Sequence, residues 1–281
     1  MSKKEKKWGL VLSGGGRNGA FAAGVIHALT KELGLNFSVI SGTSTGALQA
    51  PLVACDQIGL LSDIYCNVET KDIISKRNVF WAWVKGALHN TRPLEKLIDK
   101  HLDVDKLADL YPQKKVYVNA VNLRTGKLVR WPSSPVGKTL FKKFVLASAS
   151  IPVVMDAVKI GRDWYVDGGL VDISPVSVFR DHHDLEGVIA ISNEPMWMNE
   201  EKKSSNNIFD VMKRSIDIAS KEILKNDIHD FEDHINTKKH IHIYPLEHLG
   251  ESMEFDPKVM RKLWQMGFNE GLRVMSRFDT T

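Results

Sequence analysis

The chain has 281 residues, 43% hydrophobic and 26% charged, with 38 Lys and Arg against 34 Asp and Glu, a formal net charge of +4. That balance excludes a disordered, a collagen-like and a coiled-coil chain, and the length suffices for one or two domains without staples. No apolar run approaches the ~18 residues of a membrane-spanning helix. The weak, dispersed positive charge gives no argument for nucleic acid, though it would not oppose an anionic membrane surface.

Lys3, Lys4, Lys6 and Lys7 open the chain like the basic start of a signal peptide, but the apolar segment behind them breaks at Ser13-Gly14-Gly15-Gly16. No hydrophobic stretch of ~7–15 residues and no cleavage site follow, so a cytoplasmic protein is expected. The two cysteines, Cys55 and Cys66, lack metal-type spacing and are expected as reduced, partly buried thiols.

Gly9 to Leu12 is predicted as a short buried strand, Ala20 to Leu33 as a helix stopped at Gly34, and Phe37 to Ile40 as a second strand. A helix from Ala47 is expected to bend near Pro51. Residues 71–92 read as irregular. Pro93 opens a helix to about His101, with Thr91 as candidate cap. Lys115 to Asn122 alternates as a strand, and the turn Arg124-Thr125-Gly126-Lys127 leads into Leu128–Trp131. A helix over Lys138–Ser148, a strand over Trp164–Val166 and a buried strand over Gly187–Ser192 follow. Ile208, Val211, Met212, Ile216, Ala219, Ile223 and Leu224 recur at helical spacing and predict one long amphipathic helix facing the core. A strand over His240–Tyr244 and a helix over Asp256–Phe278 complete the chain. Strands alternating with helices predict an α/β protein with a mostly parallel central sheet. No break in composition marks a second domain, so residues 1–281 are expected to form one, with a motif-bearing core over about 8–192 and a helical part over about 205–281.

Three segments carry chemistry. Gly42-Thr43-Ser44-Thr45-Gly46 matches G-x-S-x-G between a strand and a helix, which presents a serine hydroxyl on a sharp turn. Ser13-Gly14-Gly15-Gly16-Arg17-Asn18-Gly19 lies between the first strand and helix. There, glycines let backbone N–H groups approach an anion, either a phosphate or the oxyanion of an acyl intermediate. Gly14, Gly16 and Gly19 also satisfy the dinucleotide spacing, but the next strand ends at Ser41-Gly42 with no acidic residue for a ribose. Asp167-Gly168-Gly169 follows a strand, where a carboxylate can accept a serine's proton; by itself Asp-Gly is simply a turn.

In this order, and with Ala147-Ser148-Ala149-Ser150-Ile151-Pro152 ahead of the aspartate, the blocks resemble those of the patatin-like phospholipases. The resemblance covers about two thirds of the chain and implies a three-layer α/β/α fold. It implies a Ser–Asp dyad with Ser44 as nucleophile and Asp167 as base. It places the oxyanion hole in the loop Gly14, Gly15, Gly16 and Arg17, with Gly42 and Gly46 shaping the nucleophile turn. No cofactor and no metal are implied; the implied partner is a phospholipid or other acyl ester, met with or without peripheral membrane contact. One departure is visible: the basic residue common before the last glycine of the loop is replaced by Asn18, and the cation stands one place earlier at Arg17.

The residues leave other readings open. A late histidine, among His182, His183, His229, His234, His240, His242 and His248, could complete a triad, or pairs of them a metal site, but none sits in a recognisable block. Phe80, Trp81 and Trp83 among Lys76, Arg77 and Lys85, and Met196-Trp197-Met198, could meet a membrane interface or cover the site's mouth. An acyltransferase or thioesterase, or a non-catalytic lipid-binding protein, would share the same framework.

Overall fold

The computed structural model describes residues 7–78, 80, 81, 86–182, 184–196, 207–234, 239–250 and 252–278. The sequence expectations at Trp83, Lys85, His183, Trp197 and Met198 lie outside the described residues. Among the described residues, an eight-stranded sheet forms the centre. Its strands are β1 (Trp8–Leu12), β2 (Phe37–Gly42), β5 (Lys115–Asn122), β6 (Leu128–Pro132), β7 (Val158–Ile160), β8 (Asp163–Asp167), β9 (Gly187–Ile191) and β10 (Lys239–Ile243); β3 (Ser75–Lys76) and β4 (His89–Asn90) pair separately. The order is β10-β9-β1-β2-β5-β8-β7, with β6 on β5; β10, β9, β1, β2 and β5 run parallel, and β6, β8 and β7 are antiparallel additions.

The parallel strands are buried on both faces, which is why they read as unbroken apolar runs. Leu10, Leu12, Ile40, Ile189 and Ile191 enter the larger core, and Val11, Val39, Val188 and Ala190 a smaller one behind the sheet. Over the larger core lie α1 (Gly19–His27), α2 (Thr45–Ala54), α3 (Ile58–Asn67), α7 (Lys138–Ser148) and α9 (Pro257–Phe278). Between β2 and α7 come also α4 (Thr70–Ile73), α5 (Arg92–His101) and α6 (Val104–Leu110). The other face is covered by α8 (Ile208–His234) and a 3-10 turn, through Phe231, Val176 and Phe179. The result is the expected helix–sheet–helix layering. The last helix reaches the first at backbone distance: a Cβ on Gly24 would stand 1.9 Å from the Trp264 carbonyl, and one on Gly267 1.9 Å from that of Phe21.

Several expectations are adjusted. The first helix ends at His27 and continues as a π-helical turn over Ala28–Glu32 before Gly34, whose φ of +67° supplies the stop. β7, α3, α4 and α6 had no prediction. The largest correction concerns α8. It runs to His234, and its second half is core-facing through Leu224, Ile228 and Phe231, but Ile208, Val211, Met212 and Ile218 are 68%, 48%, 39% and 54% exposed. Helical periodicity shows that a face is apolar, not what it meets.

Candidate active site

The sheet brings the serine and the aspartate together. On one edge of β5, β2 pairs up to Gly42 opposite Val118, and β8 takes over at Ala120 opposite Asp167. Two residues of strand separate the pairings, roughly 7 Å, and the two partner strands arrive from opposite directions. Ser44 therefore turns out of the end of β2 just where β8 delivers Asp167.

The turn at Ser44 is strained, and the sequence around it holds the strain in place. Ser44 has φ +57° and ψ −122°, a region that costs a non-glycine residue roughly 1–3 kcal/mol. Its flanks have no room for side chains: a Cβ on Gly42 would lie 2.3 Å from the Gly46 carbonyl, and one on Gly46 2.1 Å from that of Leu12. The Ser44 N–H donates to Ser148 Oγ at 3.0 Å, and the Asp167 N–H to the Ser150 carbonyl at 2.9 Å. The Ala-Ser-Ala-Ser-Ile-Pro block thus braces both residues from one helix end. Gly168 is required as well, since its Cβ would stand 2.5 Å from the Asn119 carbonyl.

Asp167 is 5% exposed and Ser44 6%. Burial pushes the Asp167 carboxyl up to about 7, against hydrogen bonds from the Gly169 N–H, at 2.8 Å, and from the Ser44 side chain. Desolvation dominates, as expected for a carboxylate without a cation beside it. The group can hold or release a proton near neutrality, as a general base requires.

The glycine-rich loop faces the same groove, an opening of about 530 Å³ bordered by Gly14, Gly15, Gly16, Ser44 and Asp167. Its N–H groups are not equivalent. Gly14 donates to the Ile173 carbonyl at 3.0 Å and Arg17 to that of Ser252 at 2.8 Å. The N–H groups of Gly15 and Gly16 meet no acceptor among the described residues. The Arg17 side chain does not border the groove. Its guanidinium donates to the carbonyls of Glu254 at 2.9 Å and Leu249 at 3.2 Å, strapping that segment over the loop. The displaced cation of the motif still holds the loop, through neighbouring backbone.

A polar layer lies behind the site. Thr43 donates to the Asp172 carbonyl, and the Asp172 carboxylate accepts from Arg130 at 3.0 Å and Asn119 at 3.4 Å. From α8, Asp227 accepts the N–H groups of Ile173 and Ser174 at 2.9 and 2.8 Å, and burial, with Asp172 nearby, pushes it up to about 7. Among the described residues no histidine borders the groove. His242 is half-buried, and the desolvation lowers it to about 4; it meets Ser192 Oγ at 2.8 Å. His240 packs against Phe231.

Two spaces diverge at the serine. The groove continues past Val211, Arg214, Ser220 and Lys221 of α8. A separate cavity of about 100 Å³, sharing Ser44, Gly16, Ile151 and Met253 with the groove, runs among Leu48, Leu52, Leu94, Leu97, Ile98 and Val145. It is almost wholly apolar. Sequence reasoning identified neither space, nor Ser148 and Ser150 as braces, because their partners are more than a hundred residues away for Ser148 and come from a strand end for Ser150.

A family model described as patatin-like phospholipase matches residues 10–180. A cGAMP-activated phospholipase of Pseudomonas aeruginosa is 28% identical over 182 residues, 59% of this chain and 53% of that protein. An uncharacterized protein of Acanthamoeba polyphaga mimivirus is 25% identical over 194 residues, 65% of this chain and 64% of that one. The chain thus spans between about half and two thirds of the length of these relatives. Among solved structures, VipD from Legionella pneumophila is similar with a TM-score of 0.56 at 14% identity, covering 98% of this chain and 68% of that one; the likeness is one of fold.

Proposed function

The chain belongs to the patatin-like phospholipase family, and from that premise we propose that it is a lipid acyl hydrolase of the phospholipase A or lysophospholipase type, acting through Ser44 and Asp167. The observation that carries the reading is the junction at Ser44. A strained serine beside a carboxyl near neutrality meets two unspent N–H donors, an apolar cavity on one side and a polar groove on the other.

An acyl ester bound with its chain in the apolar cavity places its carbonyl at Ser44. Ser44 Oγ attacks that carbon as Asp167 takes the hydroxyl proton, and the N–H groups of Gly15 and Gly16 receive the developing oxyanion. One such donor is worth roughly 3 kcal/mol of transition-state stabilisation. The tetrahedral intermediate collapses by breaking the bond to the alcohol, which leaves with the proton from Asp167. Water, deprotonated by Asp167, then attacks the acyl-Ser44 ester; the second tetrahedral intermediate breaks its bond to Ser44 Oγ, which takes the proton back from Asp167 as the fatty acid leaves. The alcohol half lies in the groove, where Lys221 has no anionic partner among the described residues and suits a phosphate on that half.

We infer that this site works against a membrane surface. The exposed stripe Ile208, Val211, Met212 and Ile218 runs along α8 at helical spacing, and Val211 borders the groove itself. An apolar rim beside the entrance would let an acyl chain pass from lipid to cavity without crossing water. Met212→Ser and Ile208→Ser together should lower hydrolysis of vesicle phospholipid while leaving a soluble short-chain ester as substrate.

Labelling with a fluorophosphonate and mapping the adduct tests the catalytic reading. An adduct on Ser44, absent in Ser44→Ala together with ester hydrolysis, is the expected result. Hydrolysis by purified Ser44→Ala above about a thousandth of the wild-type rate would overturn it.

A further inference from the structure

A loop of three successive glycines has no side chains with which to fix itself, and glycine backbone is the least restricted of all. Yet Gly15 and Gly16 hold unusual conformations, φ +145° and +55°, and the usefulness of their N–H groups depends on where they point. Something outside the loop must set that direction.

Asn193, two residues beyond the end of β9, stands behind the loop and is fully buried. Its side-chain Nδ2 donates to the Ser13 carbonyl at 3.0 Å and to the Gly14 carbonyl at 3.2 Å. Its backbone N–H donates to Ser13 Oγ at 3.0 Å, and that hydroxyl in turn donates to the Gly14 carbonyl at 3.1 Å. A Cβ on Gly15 would stand 2.6 Å from Asn193 Cβ, so the asparagine also packs against the loop where a side chain would be.

The consequence follows from peptide geometry. In a trans peptide the C=O and N–H of one unit point in opposite directions, and the Gly14–Gly15 bond is trans. Holding the Gly14 carbonyl toward Asn193 turns the Gly15 N–H away from it, on a residue that borders the groove. The preceding unit is held at both ends, with its carbonyl on Asn193 and its N–H, that of Gly14, on Ile173. The first unspent donor is therefore anchored through the carbonyl of its own peptide and through the peptide before it.

We propose that Asn193 is a positioning residue that orients the Gly15 N–H toward the developing oxyanion. The inference rests on the acyl-hydrolase reading above and adds to it the residue that gives a flexible glycine loop its preorganisation. Pre-aimed donors stabilise a transition state because no reorganisation is needed when the charge appears.

The test uses the full chain and a soluble short-chain ester. Asn193→Asp keeps the volume and removes the amide donor. We expect kcat to fall about 10- to 100-fold, a fraction of the loss of a whole oxyanion donor, with KM changed by less than about twofold. Affinity for an alkylboronic acid, which forms a tetrahedral serine adduct, should fall by the same factor as kcat/KM. Affinity for an ether analogue of the substrate, which has no carbonyl, should stay constant. A merely structural role would weaken both ligands together. An active wild type, with a folded Asn193→Asp that keeps its kcat or loses both affinities equally, overturns the inference and leaves the hydrolase reading intact. A wild type that neither labels at Ser44 nor cleaves any ester overturns the reading and the inference with it. If Asn193→Asp does not fold, Ser13→Ala decides: it removes the second donor to the Gly14 carbonyl and should lower kcat about 3- to 10-fold at constant KM, and an unchanged kcat overturns the inference.

Discussion

Asp167→Asn should abolish hydrolysis and make the protein more stable, by an amount that grows with pH. The carboxyl rises from 3.8 to about 7 on folding, so between those values the folded state keeps a proton that the unfolded state has released. Stability contributed by the protonated group is whole below about pH 4 and is lost as pH climbs to 7. A tenfold change in proton affinity corresponds to about 1.4 kcal/mol, so above pH 7 the buried charge costs roughly 4 kcal/mol, and at pH 5 somewhat under 2 kcal/mol. Asparagine keeps the acceptor for the Gly169 N–H and carries no charge at either pH. The gain from the substitution should thus be about 2–3 kcal/mol larger at pH 8 than at pH 5. At roughly 2 °C per kcal/mol for a chain of this size, that is about 5 °C in Tm. Asp227 is shifted in the same direction, but it is common to both proteins and cancels from the difference. Thermal unfolding of wild type and variant at the two pH values measures it. Equal gains at pH 5 and pH 8, or a loss at pH 8, would refute the claim that burial of an uncompensated carboxylate sets the behaviour of this site.

The same carboxyl should shape the rate: kcat/KM on a soluble ester should rise about tenfold per pH unit below 7 and level off above it, and a profile flat from pH 5 to 8 would remove Asp167 as the base. Leu97→Phe, which narrows the apolar cavity, should shift the preferred ester toward shorter acyl chains without slowing a butyrate ester; an unchanged chain-length profile would place the acyl chain elsewhere. Lys221→Ala should lower kcat/KM on a lysophospholipid while sparing a neutral monoacyl ester, and equal losses on both would argue against a phosphate contact. Gly46→Ala, whose methyl would meet the Leu12 carbonyl at 2.1 Å, should cost roughly 3 kcal/mol in urea unfolding. Gly59→Ala, with nothing near it inside α3, should gain about 0.5 kcal/mol.

The parts of this protein whose chemistry is local are legible along the chain. Gly42 and Gly46 are legible because backbone lies where their side chains would be, and Gly168 because it rests on the Asn119 carbonyl. The parallel strands are legible because burial on both faces leaves unbroken apolar runs, and Pro93 and Pro257 because a ring without an N–H belongs at a helix start. Whatever depends on a partner distant in the chain emerges only on folding. Gly14 and Arg17 carry the same N–H group as Gly15 and Gly16, yet Ile173 and Ser252 occupy the first two and leave the others open. Arg17 reads as one more residue of the oxyanion loop, and its side chain proves to be a strap on the carbonyls of Leu249 and Glu254. Asn193 has no motif around it, and only the pairing of β9 with β1 carries it behind the glycine loop. The first half of α8 has the periodicity of a buried helix and turns that face outward beside the groove. A hydrogen bond or a burial belongs to two surfaces at once, and one segment of sequence describes only one of them.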